Sequence, residues 1–565
     1  MVDVEDLAAG ADDGEGVAGV ELAQNGEVRI GWGGFVEHDN ARFDLIARAV
    51  GGTGVVGSPF GRADRPARIR HTQGIAYQSD IIMLKIFHLR LEIFEPISTK
   101  IAKYAAEEYD MYRVKSYFWW LTGLASLVWL LSAWPFPLPN SYFPFRTIAV
   151  QYTGVISMVM MSLAMILALR PAWPERWIGG LDKMYRLHKW LGIGALVLAL
   201  THFLFAQGTK WAVKLGWLTR PPRGGAAKAD AAQQVDFSLQ ALFREYRGVA
   251  EDISEWPFYI AIALIVISLV QRIPYHVFFK VHRILALAYL VLVFHSVILL
   301  EFTQWLTPLG LMMAVLLAYG TWAALVVLFR RVGAGKAVQG KLQSMQYYEP
   351  LGVLETAISL PQGWPGHRPG QFAFAMSNAA EGAHPYTIAS AWDETTKQIT
   401  FITKGLGDHT RRLVQTLKVG MPVRIEGPYG CFDFTDDRPA QIWIGGGIGI
   451  TPFVARMKYL AQQRLRGAGP TQKVHLFHTT REVDETALDK MRADAAAADV
   501  ELHIFIDARD GRLTAERIRE LVPQWQGASF WFCGPAGFGE ALRRDFSGRG
   551  INVARHFHQE LFAMR

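Results

Sequence analysis

Four histidines sit inside apolar stretches in two matched pairs, His188 with His202 and His282 with His295. A neutral imidazole is a good axial ligand for haem iron. An ionisable side chain within a membrane span marks a functional position, because burying it without a partner is costly. The spacings of 14 and 13 residues correspond to about 21 and 20 Å along a helix axis. If the two stretches run in the same direction, His188 and His282 share an inner level and His202 and His295 an outer one. One haem between each pair would give two stacked bis-histidine centres. A 13-residue step, however, misses the starting helix face by about 140°. The second stretch must therefore be irregular, or present its histidines from different flanks.

Six apolar stretches are available to position them, near 116–134, 147–169, 186–207, 256–272, 281–301 and 307–329. Each is long enough for a hydrocarbon core about 30 Å thick. The fourth is short and bounded by Pro257 and Pro274. Arg113 and Lys115 precede the first span. Arg170, Arg176, Lys183 and Arg186 follow the second, Arg272, Lys280 and Arg283 the fourth, and Arg330, Arg331 and Lys336 the sixth. The opposite short loops offer little beyond Arg146 and Glu301. The positive-inside rule then places both termini in the cytoplasm, with the long loop 208–255 outside.

Composition agrees with this division. Apolar residues make up 51% of the 565 and concentrate in 113–332, while 333–565 has the mixed composition of a soluble protein. The net charge of +7 is explained by cations flanking spans, so nucleic-acid binding is not indicated. The two cysteines, Cys431 and Cys533, form no disulfide framework or zinc-ligand spacing. Residues 1–80 show no sustained period and no signal-peptide layout, and read as a disordered extension. Residues 81–112 alternate apolar and charged groups, as an amphipathic helix on the inner membrane surface would.

From about 340, short alternating strands broken by Gly and Pro predict a small antiparallel barrel over 333–440. Residues 441–565 alternate strand and helix, the layout of a parallel nucleotide-binding sheet. In GGGIGITPF (445–453) a strand ends and a helix opens. Its glycines Gly445, Gly446, Gly447 and Gly449, with Ile448, let the backbone approach a pyrophosphate. Thr451 and Pro452 begin the helix, where proline suits the first position.

Together these motifs resemble the NADPH oxidase and ferric reductase superfamily over about 113–565. The resemblance implies a multidomain membrane protein: a six-transmembrane α-helical bundle, then a ferredoxin-reductase-like antiparallel β-barrel for FAD and an α/β parallel-sheet nucleotide-binding domain. HPYTIAS (384–390) is similar to the family's flavin segment, which implies FAD contacts for His384, Pro385, Tyr386, Thr387 and Ser390. KGLGDHT (404–410) resembles its pyrophosphate-binding stretch, implicating Lys404, Gly407, Asp408 and Thr410. There His409 stands where the family has tryptophan. Cys533, Gly534 and Pro535 resemble the segment beside the nicotinamide, and Arg481 the cation that meets the NADPH 2′-phosphate. Phe562, with Phe557 as the alternative, would be the terminal aromatic covering the flavin ring.

The implied activity is electron transfer from cytoplasmic NADPH (or NADH) through FAD and two haem b groups to an outer acceptor. Oxygen, giving superoxide, is the first expectation and a ferric or cupric chelate the second. An electron-relay subunit serving a partner protein is the third. The implied location is a bacterial inner membrane.

Overall fold

The structure is a computed structural model. It describes residues 18–22, 28–32, 108–135, 138–219, 239–270, 275–379, 381–468 and 472–560. The chain divides into two compact units, 1–89 and 90–565. In the first, β1 (Ala18–Leu22) and β2 (Val28–Trp32) pair as an antiparallel hairpin, a regular element not foreseen for 1–80. Most of the amphipathic segment 81–112 lies outside the described residues; 108–112 begin a helix.

The second unit opens with helices α1 (Glu108–Ser132), α2 (Tyr142–Ala168), the short α3 (Ala172–Ile178) and α4 (Leu181–Phe203). A π-turn at Leu204–Gly208 leads into α5 (Thr209–Lys214). Then come α6 (Leu239–Leu269), α7 (Tyr275–His282), α8 (Ile284–Leu299) and α9 (Pro308–Leu328).

Among the described residues, five segments are long and apolar enough to cross a membrane: Tyr142–Ala168, Leu181–Lys214, Leu239–Leu269, Lys280–Leu299 and Pro308–Leu328. Helix α1, the first of the spans expected from sequence, is not among them. Its Tyr117, Trp119, Trp120 and Trp129 are amphipathic aromatics that weigh little in hydropathy. It nevertheless buries Val114, Phe118, Ala125 and Trp129 in the core shared with α2, α4, α8 and α9. Its other face exposes Trp119, Trp120, Leu124, Leu127 and Leu131. An apolar surface of this kind suits lipid, not water.

One boundary differs from the sequence reading. Pro257 lies inside α6, which begins at Leu239, so the segment 208–255 is in good part helical. The charged residues Arg244, Glu245, Arg247, Glu251 and Asp252 mask the helix from hydropathy, and the proline reads as a boundary.

The soluble half begins with β3 (Ala337–Tyr348), β4 (Val353–Ser359), β5 (Phe372–Met376), β6 (His384–Thr387) and β7 (Gln398–Lys404). Helix α10 (Asp408–Thr416) and β8 (Pro422–Tyr429) complete the module. The six strands pair in the order β6-β5-β8-β3-β4-β7, all antiparallel. An isolated bridge, Ile388 to Phe401, links the strand β7 to the residue following β6.

Next come β9 (Ala440–Gly446), α11 (Thr451–Leu465), β10 (Lys473–Thr480), α12 (Glu485–Ala498) and β11 (Glu501–Ile506). Helix α13 (Ala515–Leu521), β12 (Ala528–Cys533), α14 (Ala536–Gly548) and β13 (Phe557–Gln559) follow. All five strands are parallel, in the order β11-β10-β9-β12-β13. Strands β9 and β12 are apolar and buried on both faces, as the centre of a parallel sheet covered by helices requires.

Candidate functional site: paired histidines and a reductase cleft

Helices α4, α7 and α8 bring the four histidines together in two pairs. The His188 and His282 rings lie 5.9 Å apart between centroids, and those of His202 and His295 6.3 Å apart. The 13-residue problem is solved by a break in the helix. His282 ends α7, and α8 starts after Arg283, so the two histidines sit on separate helical segments.

The second ring nitrogen of each histidine is committed. His188 Nδ1 lies 2.9 Å from the Ala164 carbonyl, His202 Nδ1 2.9 Å from that of Val150, and His295 Nδ1 3.1 Å from that of Ala250. A carbonyl has no proton to give, so Nδ1–H must be the donor in all three. His282 Nδ1 lies 2.9 Å from Ser268 Oγ, whose own proton goes to the Leu264 carbonyl at 2.6 Å. Here too Nδ1–H donates. A neutral imidazole held in this tautomer carries its lone pair on Nε2, the arrangement in which a histidine ligates metal.

The ring spacing makes the same point. With metal–imidazole bonds of about 2 Å and half a ring beyond each nitrogen, two imidazoles on opposite sides of one metal would have centroids about 6 Å apart. The residues fit a bis-histidine metal centre at each level. Gly154 on α2 lets the helix approach the His202–His295 pair closely, since a Cβ there would lie 3.0 Å from the His202 ring. Arg146 ties α2 to the π-turn by donating to the Phe205 and Ala206 carbonyls at 2.8 and 3.0 Å.

In the barrel, His384, Pro385, Tyr386 and Thr387 lie half-buried on β6. His409, at the start of α10, stacks on His384 at 3.8 Å with planes 12° apart, and its Nε2 meets Tyr386 Oη at 3.1 Å. Burial, with His409 adjacent, pushes His384 down to about 4, so the stacked rings are neutral near pH 7. Tyr386 and His409 line a small, partly open pocket in the barrel. Ser390 is different: its hydroxyl accepts the Thr400 amide at 3.0 Å and lies in the core beside His367. That hydroxyl thus helps to fix the segment after β6 against β7.

Gly407 and Thr410 close the N-terminus of α10, with the Gly407 amide donating to Thr410 Oγ1 at 3.0 Å; Asp408 is the first residue of the helix. Lys404 pairs with Glu482 across a cleft of 840 Å³ that also takes in Gly447, Ile448, His478 and Thr480.

The two glycine segments of the nucleotide domain are pressed together. A Cβ on Gly446 would lie 2.8 Å from Pro535, one on Gly449 2.1 Å from the Cys533 carbonyl, and one on Gly534 3.1 Å from Gly446 Cα. Gly447 has φ +56 and an open face towards the cleft. Gly445 pairs with Cys533 across the sheet. Thr451 Oγ1 donates to the Ile448 carbonyl at 2.8 Å, and Pro452 occupies the first turn of α11.

Cys533 is fully buried, and burial raises its thiol well above the ordinary range. It is a protonated thiol at neutral pH, not a nucleophile. Arg481 is exposed at the open end of β10, with Asp507 3.5 Å away. Phe562 lies outside the described residues. Phe557, its alternative, is 4% exposed and packed among Phe530, Phe532 and Arg543. It is a core residue and cannot serve as a cover.

The sequence reading missed the junction between the two halves. Arg170, just past α2, donates to Tyr185 Oη at 2.8 Å and to Glu426 Oε1 at 2.5 Å, and lies 3.8 Å over the Phe374 ring. Glu426 Oε1 also accepts from Tyr429 Oη at 2.8 Å. On α3, Glu175 Oε1 accepts the Gly430 amide at 2.7 Å, and burial raises its carboxyl above the usual range. These ties join a loop of the helical domain to the last strand of the barrel. No local pattern announces contacts between residues some 255 positions apart.

The description "ferric reductase like transmembrane component" matches residues 153–293, which include three of the four histidines and stop just before His295. Over 184 residues the chain is 27% identical to a flavohemoprotein of Pseudomonas putida, covering 31% of this chain and 45% of that one. Over 191 residues it is 29% identical to an NADPH oxidoreductase of Mycobacterium tuberculosis, covering 32% and 47%. The chain spans about half the length of the curated relatives it matches. Among solved structures, the FAD/NAD-binding domain of a Vibrio cholerae nitric oxide dioxygenase matches 40% of this chain and 98% of its own, at 21% identity and a TM-score of 0.34. With a ferric-reductase-like membrane domain followed by a half similar to flavohemoproteins and oxidoreductases, the chain fits a flavocytochrome of the ferric reductase and NADPH oxidase type.

Proposed function

We propose that this protein is a transmembrane oxidoreductase that takes electrons from cytoplasmic NAD(P)H and delivers them to an acceptor on the outer side, oxygen in the first instance. The observation that carries the reading is the pairing of four imidazoles in the Nδ1–H tautomer at two levels of one helical bundle. When bound, FAD would convert hydride into single electrons and two b-type haems would conduct them through the bilayer.

The chain's own residues bind, orient and exclude. His188 and His282 would hold the inner haem, and His202 and His295 the outer. Two imidazoles per iron leave no open coordination position, so an acceptor would be reduced at the haem edge. Pro385, Tyr386, Thr387 and the stacked His384–His409 pair would flank the flavin, with the start of α10 (Gly407, Asp408, Thr410) facing its pyrophosphate. Gly447 and Ile448 would receive the nucleotide pyrophosphate in the cleft, near Lys404, and Arg481 would meet a 2′-phosphate. Cys533 would pack beneath the nicotinamide as a neutral surface. Arg170 and Glu175 lie in the cation-rich loop after the second span and touch the barrel, which supports a cytoplasmic reductase half and an inner-membrane location.

The test is haem and flavin content with anaerobic turnover. The wild type should hold two haems per chain with a low-spin b-type spectrum. His202→Ala should lose one haem and all transfer to an outer acceptor, yet keep NADPH-driven flavin reduction. A protein colourless after expression with ample haem would overturn the reading. Fast ferric-chelate reduction with negligible oxygen consumption would replace oxygen as the acceptor. NADPH oxidation that stays slow until a partner protein is added would make the chain a relay subunit.

A further inference from the structure

The parallel sheet carries a second cluster of donors that the electron path does not use. His475 on β10 pairs in register with Glu501 on β11, and His503 lies two residues further along β11 on the same face. His475 Nδ1 is 3.4 Å from Glu501 Oε2, His503 Nε2 is 3.5 Å from Glu501 Oε1, and the two ring nitrogens are 3.5 Å apart.

Three donors at corners of a tetrahedron around a metal with bonds of about 2.1 Å would be separated by about 3.4 Å. The two ring nitrogens stand at that spacing from one another, and each stands at that spacing from one of the two Glu501 oxygens, so a small turn of the carboxylate would bring a single oxygen to both. His503 is held by stacking on Phe477 at 4.5 Å, and the His475 side chain is 5% exposed, so both rings are fixed before any ion arrives. Glu501 is half exposed, which leaves an approach from solvent.

We propose that His475, His503 and Glu501 form a zinc site that clamps the edge strand β11 to β10. Two imidazoles and one carboxylate suit a divalent metal of zinc type, with water in the fourth position. The site sits near the start of β10, roughly 20 Å along the strand from Arg481. His478, the nearest cleft residue on β10, points to the opposite face of the strand, so the site is separate from the nucleotide cleft and its role is to hold the sheet. Lys473, 3.4 Å from Glu501 Oε2, is the cation that zinc must displace from the carboxylate.

The test uses purified full-length protein, freed of any polyhistidine tag and equilibrated at buffered micromolar free zinc. Zinc per chain is read by elemental mass spectrometry, and the unfolding midpoint is read with and without zinc. The wild type should hold one zinc more than Glu501→Ala and one more than His503→Gln. Zinc should raise the midpoint only in the wild type. His409→Gln, which alters the separate stacked His384–His409 pair, should leave this zinc in place. Glu501→Ala changes an exposed side chain, so a folding failure in a histidine variant leaves the test intact. Equal zinc content in wild type and Glu501→Ala, or a wild type that takes none, would overturn the proposal.

Discussion

Replacing Arg170 with alanine should uncouple the two halves of the chain without harming either. The side chains of Arg170 and Glu426 are only 12% and 7% exposed. Removing one partner of such a buried pair costs about 3–5 kcal/mol, mostly for the charge left behind. Glu426 keeps the Tyr429 hydroxyl at 2.8 Å, so we expect about 2–3 kcal/mol here, a factor of roughly 30–150 in the docked ratio. Arg170 also adopts φ +57, an uncommon conformation for a non-glycine residue that the ion pair helps to hold. The assay is anaerobic stopped flow with NADPH, following flavin bleaching and haem reduction separately. Flavin bleaching should be unchanged and haem reduction slower, by a factor that approaches the loss in docked ratio where the wild-type ratio is near unity and is smaller where it is high, since the rate follows the docked population. The double variant Arg170→Ala, Glu426→Gln should cost less than the sum of the single changes, by about 1–3 kcal/mol. Unchanged haem reduction would refute the docking role. Equal slowing of both phases would mean that the variant damages the reductase half itself.

Gly154→Val should displace the His202 ring and lower outer-haem occupancy although every ligand remains; a wild-type haem ratio and spectrum would count against the assignment. Gly449→Ala forces a Cβ to 2.1 Å from the Cys533 carbonyl. It should destabilise the nucleotide domain by about 1–3 kcal/mol and raise KM for NADPH, as steady-state kinetics and thermal melts would show. Burial holds His367 and His478 at about 4 in the folded state. Their folded values lie below the unfolded one, so the unfolded chain takes up protons first. The stability they contribute is complete above about pH 6.5 and is lost as pH falls toward 4, by about 2 kcal/mol for each at pH 5. The melting midpoint of the soluble half should therefore fall between pH 7 and 5, and a flat profile would contradict this.

The histidine levels were legible because imidazoles are rare in apolar spans and their spacing converts directly to depth. The break at Arg283 was legible only as a need for irregularity, since a periodicity argument detects a phase error without locating it. The start of α6 was hidden because a helix with charged residues on its outer turns and a proline within it mimics a loop followed by a span. Consequently the Ala250 carbonyl, which orients His295, came from a segment expected to be a loop. The strand–helix alternation of the nucleotide domain was easy to read, because β9 and β12 are continuous apolar runs between Gly and Pro signals. Motif position did not reveal that Ser390 turns inward. Arg170 and Glu175 read as topology signals beside a span, and only the folded chain supplies their distant partners.

Gly333, in the linker after α9, has φ +70, and a Cβ there would collide with the Glu426 carboxylate. The covalent tether and the Arg170 anchor thus converge on a single side chain. Grafting a foreign reductase onto this bundle would fail on sequence length alone. A working chimera would need an acidic residue at the equivalent strand end, a left-handed glycine in the connecting segment and a cation past the second span, transplanted as one set.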